Sequence, residues 1–201
     1  MTRLGLVPAA PLLLPGIARR APAEMGPVLE ACDRMLADLV SGADEVIIEA
    51  APDLSRDLRP GSASTTGWEV ADHLLDRAGF RGVRVRGHPG SERAGDVRIF
   101  VADGSAAVGP KAPRPGGGEL DERLTAGLDS LDGSSLRALD DGTALAAGCT
   151  TAPVWRSLGR WLTPEWVEVM RECWAPFGVT YWVASWTDAT GARSPGRPSY
   201  R

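Results

Sequence analysis

The sequence is poor in the residue types that build metal centres and disulfide frameworks. It has three cysteines, Cys32, Cys149 and Cys173, and none of them forms a CxxC pair. A thiolate zinc site and a disulfide scaffold are therefore disfavoured, and so sparse a set is typical of a reducing cytoplasm, the compartment we predict. Only two histidines, His73 and His88, occur in 201 residues. Any site that needs three imidazole groups is excluded.

Lysine and long apolar runs are also nearly absent. Lys111 is the only lysine among 22 basic residues, which face 26 acidic ones, so the net charge is −4. Nucleic-acid-binding proteins normally carry a basic surface, so we predict no nucleic-acid partner. No apolar run reaches the roughly 18 residues of a membrane span, and we predict no membrane partner. The run after Arg3 is broken by Pro8 and Pro11, which does not favour a secretory signal.

The remaining pattern predicts one α/β domain. Apolar and β-branched runs predict strands at residues 3–7, 45–49, 83–86, 96–102 and 179–186. Between them, apolar residues recur at helical spacing, and Thr151 and Thr163-Pro164-Glu165 have the pattern of helix starts. Strands that alternate with helices indicate a parallel sheet covered on both faces. We predict a domain over residues 1–187 and a polar, flexible tail over 188–201.

Tryptophan is concentrated in the C-terminal part of the chain. Six of the seven tryptophans are Trp155, Trp161, Trp166, Trp174, Trp182 and Trp186. They indicate either a tryptophan-rich core or a pocket or subunit interface, where aromatic residues are enriched. Both interpretations stay open, and the second predicts a homo-oligomer or a partner subunit that binds this region.

Four motifs occur in order along nearly the whole chain. They are the loop Val7-Pro-Ala-Ala-Pro-Leu-Leu-Leu-Pro15, the strand at 45–49, Val101-Ala-Asp-Gly-Ser105 with Lys111-Ala-Pro113, and the closing segment at 175–186. In this order the motifs resemble the class III (LigB-type) extradiol ring-cleaving dioxygenase superfamily, most closely its small actinobacterial B-subunit-like members. The resemblance implies a three-layer α/β/α sandwich with a mostly parallel central sheet.

The resemblance also implies an iron site, for which this sequence lacks ligands. Such dioxygenases hold Fe(II) with two histidines and a carboxylate, and a further histidine acts on the substrate. The two ligand histidines would fall at Ala9 and near Asp53, whereas His73 lies within a predicted helix and His88 in a Gly-Pro turn. We therefore predict no iron or other cofactor, and a non-catalytic protein that binds a small molecule or a partner. The alternative is an enzyme of altered chemistry, related to oxidoreductases, that uses the same cleft.

The predicted ligand-binding residues follow the strands at their carboxyl ends, where open α/β sheets bind ligands. They are Pro8, Ala9, Ala10, Glu49, Asp53, Asp103, Gly104, Ser105 and Lys111. Converging carboxylates of Glu49, Asp53 and Asp103 would suit Mg²⁺ or Mn²⁺, but charged residues are common at strand ends and we predict no metal site.

The expected ligand is a small aromatic or anionic molecule. Backbone N–H groups of the turn at 103–105, together with the ammonium group of Lys111, could cradle an anion. Cys149 could act as a nucleophile, but no histidine is evidently close enough to activate it, so we predict a small buried thiol. The sequence assigns no catalytic residue.

Overall fold

The computed structural model describes residues 1–15, 17, 23–51, 66–91, 95–109, 112 and 118–189. Within them the strands are β1 (Arg3–Val7), β2 (Glu45–Ala50), β3 (Val83–Gly87), β4 (Val97–Val101), β5 (Trp166–Trp174) and β6 (Tyr181–Asp188). The helices are α1 (Gly26–Leu39), α2 (Thr66–Arg77), α3 (Gly118–Ser130), α4 (Ser134–Arg137), α5 (Asp141–Ala146) and α6 (Ala152–Trp161). The α/β class is confirmed. Within these ranges no helix has the length and hydropathy needed to cross a bilayer.

All six strands form one sheet in the order β3-β2-β4-β1-β6-β5. The first four strands in this order are parallel to one another, whereas β6 runs antiparallel to β1, and β5 antiparallel to β6. The sheet is therefore mixed, and the expectation of a mostly parallel sheet is not confirmed.

The predicted helix after Thr163 is wrong, because residues 166–174 form strand β5. The local sequence alternates in the manner of a strand: Val167 and Val169 are exposed, while Trp166 and Glu168 are half-buried. Side chains that alternate between exposed and half-buried are typical of a strand with one covered face. This pattern decides the structure of the segment against the helix-start pattern. A turn at Pro176–Gly178 then returns the chain to pair with it as β6.

Side chains on the two faces of the sheet belong to two hydrophobic clusters. Val97, Ile99 and Val101 of β4 pack in one cluster with buried residues of α1 and α2. Phe100, in the same strand, packs in the other cluster with residues of α3 to α6. The alternation of side chains along a strand accounts for this division, because successive residues point to opposite faces.

The carboxyl ends of β2, β4 and β1 lie side by side at one edge of the sheet. Ala50 is paired with Val101 and Val7 with Val101 at the last positions of these strands. The Ala102 N–H donates to the Val7 carbonyl at 2.9 Å, and this bond holds the ends of β4 and β1 together. The segments that follow the three strands therefore start close together, and this arrangement positions the candidate site. The flexible tail was predicted over residues 188–201, but Asp188 is the last residue of β6, and residues 190–201 lie outside the described ranges.

Candidate functional site

A pocket of about 150 Å³ opens at this edge of the sheet. Its walls come from the segments that follow β1, β2 and β4, from the start of α2, and from the residues that lead into α6. The lining residues are Ala9, Pro11, Ala51, Thr66, Gly67, Val101, Asp103, Thr150 and Thr151. This is the end of the sheet at which α/β proteins bind their ligands.

Asp103 supplies the carboxyl group of the described pocket lining. Its Oδ1 accepts a hydrogen bond from the Ala9 N–H at 2.7 Å, and no described cation pairs with it. Burial raises the pKa of Asp103 to about 7, and the hydrogen bond from Ala9 opposes this rise only in part. The pocket therefore contains a carboxyl group that changes its charge near neutral pH.

The main chain of Asp103 is held tightly by residues from the start of α6. The Thr151 hydroxyl accepts from the Asp103 N–H at 3.0 Å and donates to the Asp103 carbonyl at 2.9 Å. The Trp155 indole N–H donates to the same carbonyl at 2.8 Å. The sequence pattern predicts that Thr151 caps α6 with its side chain, but its hydroxyl makes no such bond. The hydroxyl fixes Asp103 instead.

Gly104 and Ser105 are buried against Asp121, a residue of α3 that the sequence does not single out. The Asp121 carboxylate accepts from the Ser105 N–H and from its hydroxyl, each at 2.8 Å. The Gly104 N–H donates to the Thr180 carbonyl at 2.8 Å. Because these N–H groups have partners within the fold, the predicted anion cradle is wrong in its backbone part. Lys111, the other predicted part, lies outside the described residues.

Gly104 itself is required by close packing. A Cβ atom at this position would lie 2.3 Å from the ring of Trp182, far inside van der Waals contact. The glycine therefore lets the loop after β4 pass directly over the tryptophan, which places the preceding Asp103 beside the pocket.

Glu49 faces away from the pocket and forms a buried ion pair. Its carboxylate bonds to the Arg98 guanidinium on β4 and accepts from the Ser157 hydroxyl of α6 at 2.5 Å. The Arg98 guanidinium also stacks on the ring of Trp161, 4.3 Å from its centroid. The structure therefore does not bring the carboxylates of Glu49 and Asp103 together, and the placement of Glu49 in the predicted site is wrong.

The remaining predicted site residues are divided. Ala9 lines the pocket, whereas Pro8 and Ala10 are buried beside it and do not belong to the lining. Asp53 lies outside the described residues. The sequence did not single out Thr66, Gly67 or Thr150 as pocket residues, since short polar side chains and glycine at loop ends are common everywhere.

The described residues do not fit the iron site that the family resemblance implies. The Ala9 methyl group cannot bind a metal, and neither histidine lies in the pocket lining. His73 is within α2, and His88 is an exposed residue after β3 whose ring lies edge-on to Trp68 at 5.8 Å. Within the described ranges, no group of three or more His, Cys, Asp and Glu side chains is arranged to hold a metal ion.

Cys149 is a buried thiol close to the pocket. Burial raises its pKa to about 11, so it stays protonated at neutral pH and is a poor nucleophile. Its Sγ lies 3.4 Å from the Asp103 carbonyl, to which it donates. The thiol therefore supports the position of Asp103.

The tryptophans are divided between core and surface. Trp155, Trp182 and Trp186 are buried, and the first two rings meet edge to face with their centroids 5.4 Å apart. Trp161, Trp166 and Trp174 are half-buried. The core interpretation holds for the first three, and the interface interpretation is left only for the others.

Comparisons with known proteins assign no family to the chain. No protein-family model matches the sequence, and a search of curated proteins finds no significant match.

Proposed function

We propose that the chain is a protein similar to the class III extradiol dioxygenases that has no iron site and binds a small molecule in the pocket without catalysis. The observation that carries the proposal is that one pocket contains an acidic side chain but lacks the expected histidine. A pocket at the carboxyl ends of β1, β2 and β4 contains the half-buried carboxyl group of Asp103, with which no described cation pairs, and it has alanine at the position where the resemblance expects a histidine.

The dimensions of the pocket restrict the ligand. Cavities of about 150 Å³ accept a molecule the size of benzene, whereas drug-sized ligands occupy roughly 300–1,000 Å³. Apart from Asp103 and its threonines, the walls are apolar: Ala9, Pro11, Ala51 and Val101. A ring or a short alkyl group therefore fits by size and polarity. A free anion is disfavoured, because Asp103 repels it and the nearby N–H groups are already bonded.

We also propose a three-layer fold, a cytoplasmic location and contact with a partner subunit. The two hydrophobic clusters on opposite faces of the sheet support a three-layer α/β/α sandwich. Cys173 is an exposed free thiol, which supports a reducing compartment such as the cytoplasm. The half-buried Trp161, Trp166 and Trp174 are the part of the tryptophan-rich region that could contact a partner subunit.

The second candidate function is an enzyme of altered chemistry. The observation that favours it is the pKa of Asp103 near 7, because a group that titrates close to neutral pH is suited to general acid–base catalysis. In that case Asp103 would take a proton from the ligand or give one to it in the pocket.

Two measurements on the full chain test the proposed function. Metal analysis of protein purified without chelators should find no stoichiometric iron, and oxygen uptake with a panel of catechols should stay at background. Nuclear magnetic resonance with ¹³C-methyl-alanine should show that small aromatic and alkyl fragments shift the Ala9 and Ala51 methyl signals. Ala9→Leu is the control, because the larger side chain fills the pocket and should abolish the shift at Ala51.

Three results would overturn the proposal. One equivalent of iron per chain that is lost in His73→Ala or His88→Ala would show that the iron site is present. Catechol-dependent oxygen uptake would show ring-cleavage activity. A fragment screen in which neither methyl signal responds would show that the pocket binds no small molecule.

A further inference from the structure

We propose that the ligand of this pocket is a small organic ammonium ion whose N–H groups donate to the Asp103 carboxylate. This inference rests on the proposed function and adds the chemical class of the ligand. The inference rests on the Asp103 carboxylate, which can accept more hydrogen bonds than the described residues donate to it.

The first step is the shortage of hydrogen-bond donors at Asp103. An ionised carboxylate offers about four lone-pair sites, and here one of them accepts from the Ala9 N–H. The carboxylate of Asp121, by contrast, accepts three hydrogen bonds from Ser105 and Thr180. Among the described residues, Asp103 therefore keeps unused acceptor capacity in a pocket that is open to a ligand.

The second step is the charge of the surroundings. The Tyr181 phenol and the Cys149 thiol are described titratable groups that interact electrostatically with Asp103. Burial is the main cause that raises the pKa of both, and the negative charge of Asp103 adds to it. Both groups are therefore neutral at physiological pH. The starts of α2 and α6, which both line the pocket, add only the partial positive charges of helix N-termini, and each is smaller than that of an ion. A ligand that carries a full positive charge would offset the desolvation of the carboxylate.

The third step is the shape of the remaining space. The apolar walls formed by Ala9, Ala51 and Val101 suit the hydrocarbon part of an amine. The volume limits this part to a short chain or one small ring. The threonine Thr150 is exposed and lies beside Thr151 in the lining, where it offers a hydroxyl to a further polar group of the ligand.

The expected signature is an affinity that rises with pH. Burial raises the pKa of Asp103 to about 7, so the ionised form is the minor one at pH 5.5 and the major one at pH 8.5. Apparent affinity scales with the fraction of protein in the competent state. An alkylammonium ion, which stays protonated over this range, should bind about thirty-fold more tightly at pH 8.5 than at pH 5.5.

The experiment uses three probes of equal length and different charge: propylammonium chloride, 1-propanol and sodium propionate. Binding to the full chain is followed by the ¹³C-methyl signals of Ala9 and Ala51 at pH 5.5 and 8.5, at constant ionic strength. Asp103→Asn keeps the shape and the acceptor for the Ala9 N–H but cannot ionise. Ala9→Leu fills the pocket, and circular dichroism verifies that both variants fold.

Propylammonium should bind the wild type at least tenfold more tightly than either other probe at pH 8.5. Asp103→Asn should remove both this preference and the pH dependence. If 1-propanol or propionate binds as tightly, or if Asp103→Asn leaves propylammonium binding unchanged, the ammonium assignment is wrong while the pocket remains a binding site. If none of the three probes and none of the fragments shifts either methyl signal, the proposed function itself fails.

Discussion

Two carboxyl groups near the same edge of the sheet have opposite surroundings. Glu49, near the end of β2, is paired with Arg98 and accepts a hydrogen bond from Ser157. The Asp103 carboxylate, just after β4, accepts from the Ala9 N–H and from no other donor in the described ranges. A buried charged group is stable where the fold supplies its hydrogen-bond and ion-pair partners. Where the fold does not, the pKa of the group shifts or a bound ligand must supply the missing partner. Glu49 is therefore a structural residue, whereas Asp103 is part of the candidate site.

The main chain around Asp103 sharpens this contrast. Its carbonyl accepts from the Thr151 hydroxyl, the Trp155 indole and the Cys149 thiol, so the backbone is fixed, while the carboxyl group has the Ala9 N–H as its one donor among the described residues. A rigid support beneath an unpaired functional group is the arrangement of a preorganised binding site. At Glu49, by contrast, the side chain itself carries the structural bonds.

The largest expected effect comes from removing the ion pair between Glu49 and Arg98. Arg98→Met leaves a buried, unpaired Glu49 and should destabilise the protein by about 3–5 kcal/mol, measured by urea unfolding. In the control Glu49→Gln/Arg98→Met no charge is left, and the bond from Ser157 is kept, so most of the loss should be recovered. A double variant as unstable as the single one would show that the pair acts through packing and not through charge.

A change of opposite sign is expected at Asp103. Its folded-state pKa of about 7 exceeds the ordinary value of 3.8, so the wild type loses stability relative to Asp103→Asn as pH rises from about 4 to 7. The variant should be more stable at pH 8 by about 2–4 kcal/mol, allowing for partial exposure of the carboxyl group to the pocket. Near pH 4 the two should agree. Denaturant titrations of both proteins at the two pH values measure the difference, and equal stabilities at pH 8 would contradict the account.

A smaller effect is expected from the support beneath Asp103. Thr151→Val removes the acceptor for the Asp103 N–H and one of the donors to its carbonyl. The loss should be about 1–3 kcal/mol, the cost of an unsatisfied buried group, in thermal unfolding. Thr151→Ser keeps the hydroxyl and should lose less than half as much. If Thr151→Val, which keeps the methyl group, is as stable as the wild type, the hydroxyl does not support Asp103.

No effect is expected from the histidines on the affinity for metal at the pocket. His73 and His88 are both absent from the described lining. Titration of the wild type and of His73→Ala/His88→Ala with Fe(II) under anaerobic conditions should therefore give the same weak isotherm. A stoichiometric site present only in the wild type would place an imidazole at the metal and would contradict the proposed loss of the iron site.

The sequence predicted the α/β class, because the strands at 3–7, 45–50 and 97–101 are rich in apolar residues and alternate with helical patterns. It did not predict β5, since Thr163-Pro164-Glu165 has the residues of a helix start and a short local pattern does not reveal the strand beside it. Pairing with β6 is a tertiary effect that decides between the two.

Asp103 was predicted as a site residue, but the sequence could not separate it from Glu49. Both are acidic residues at strand ends, and only the three-dimensional structure shows that Arg98 on the neighbouring strand neutralises one of them. The alternation along β4 places Arg98 on the same face as Phe100, which is a signal visible in the sequence, although an arginine inside an apolar strand does not reveal its partner. The role of Thr151 was hidden because a threonine before a helix is usually its cap.

The most direct test of the account is the pKa of the Asp103 carboxyl group itself. Its ¹³C carboxyl signal, assigned by its disappearance in Asp103→Asn, can be followed from pH 3 to pH 9 in the 201-residue chain. The account predicts a midpoint at about 7, far above the ordinary 3.8. A midpoint at or below 3.8 would show that the fold already stabilises this carboxylate, and would contradict the claim that Asp103 has no cationic partner among the described residues.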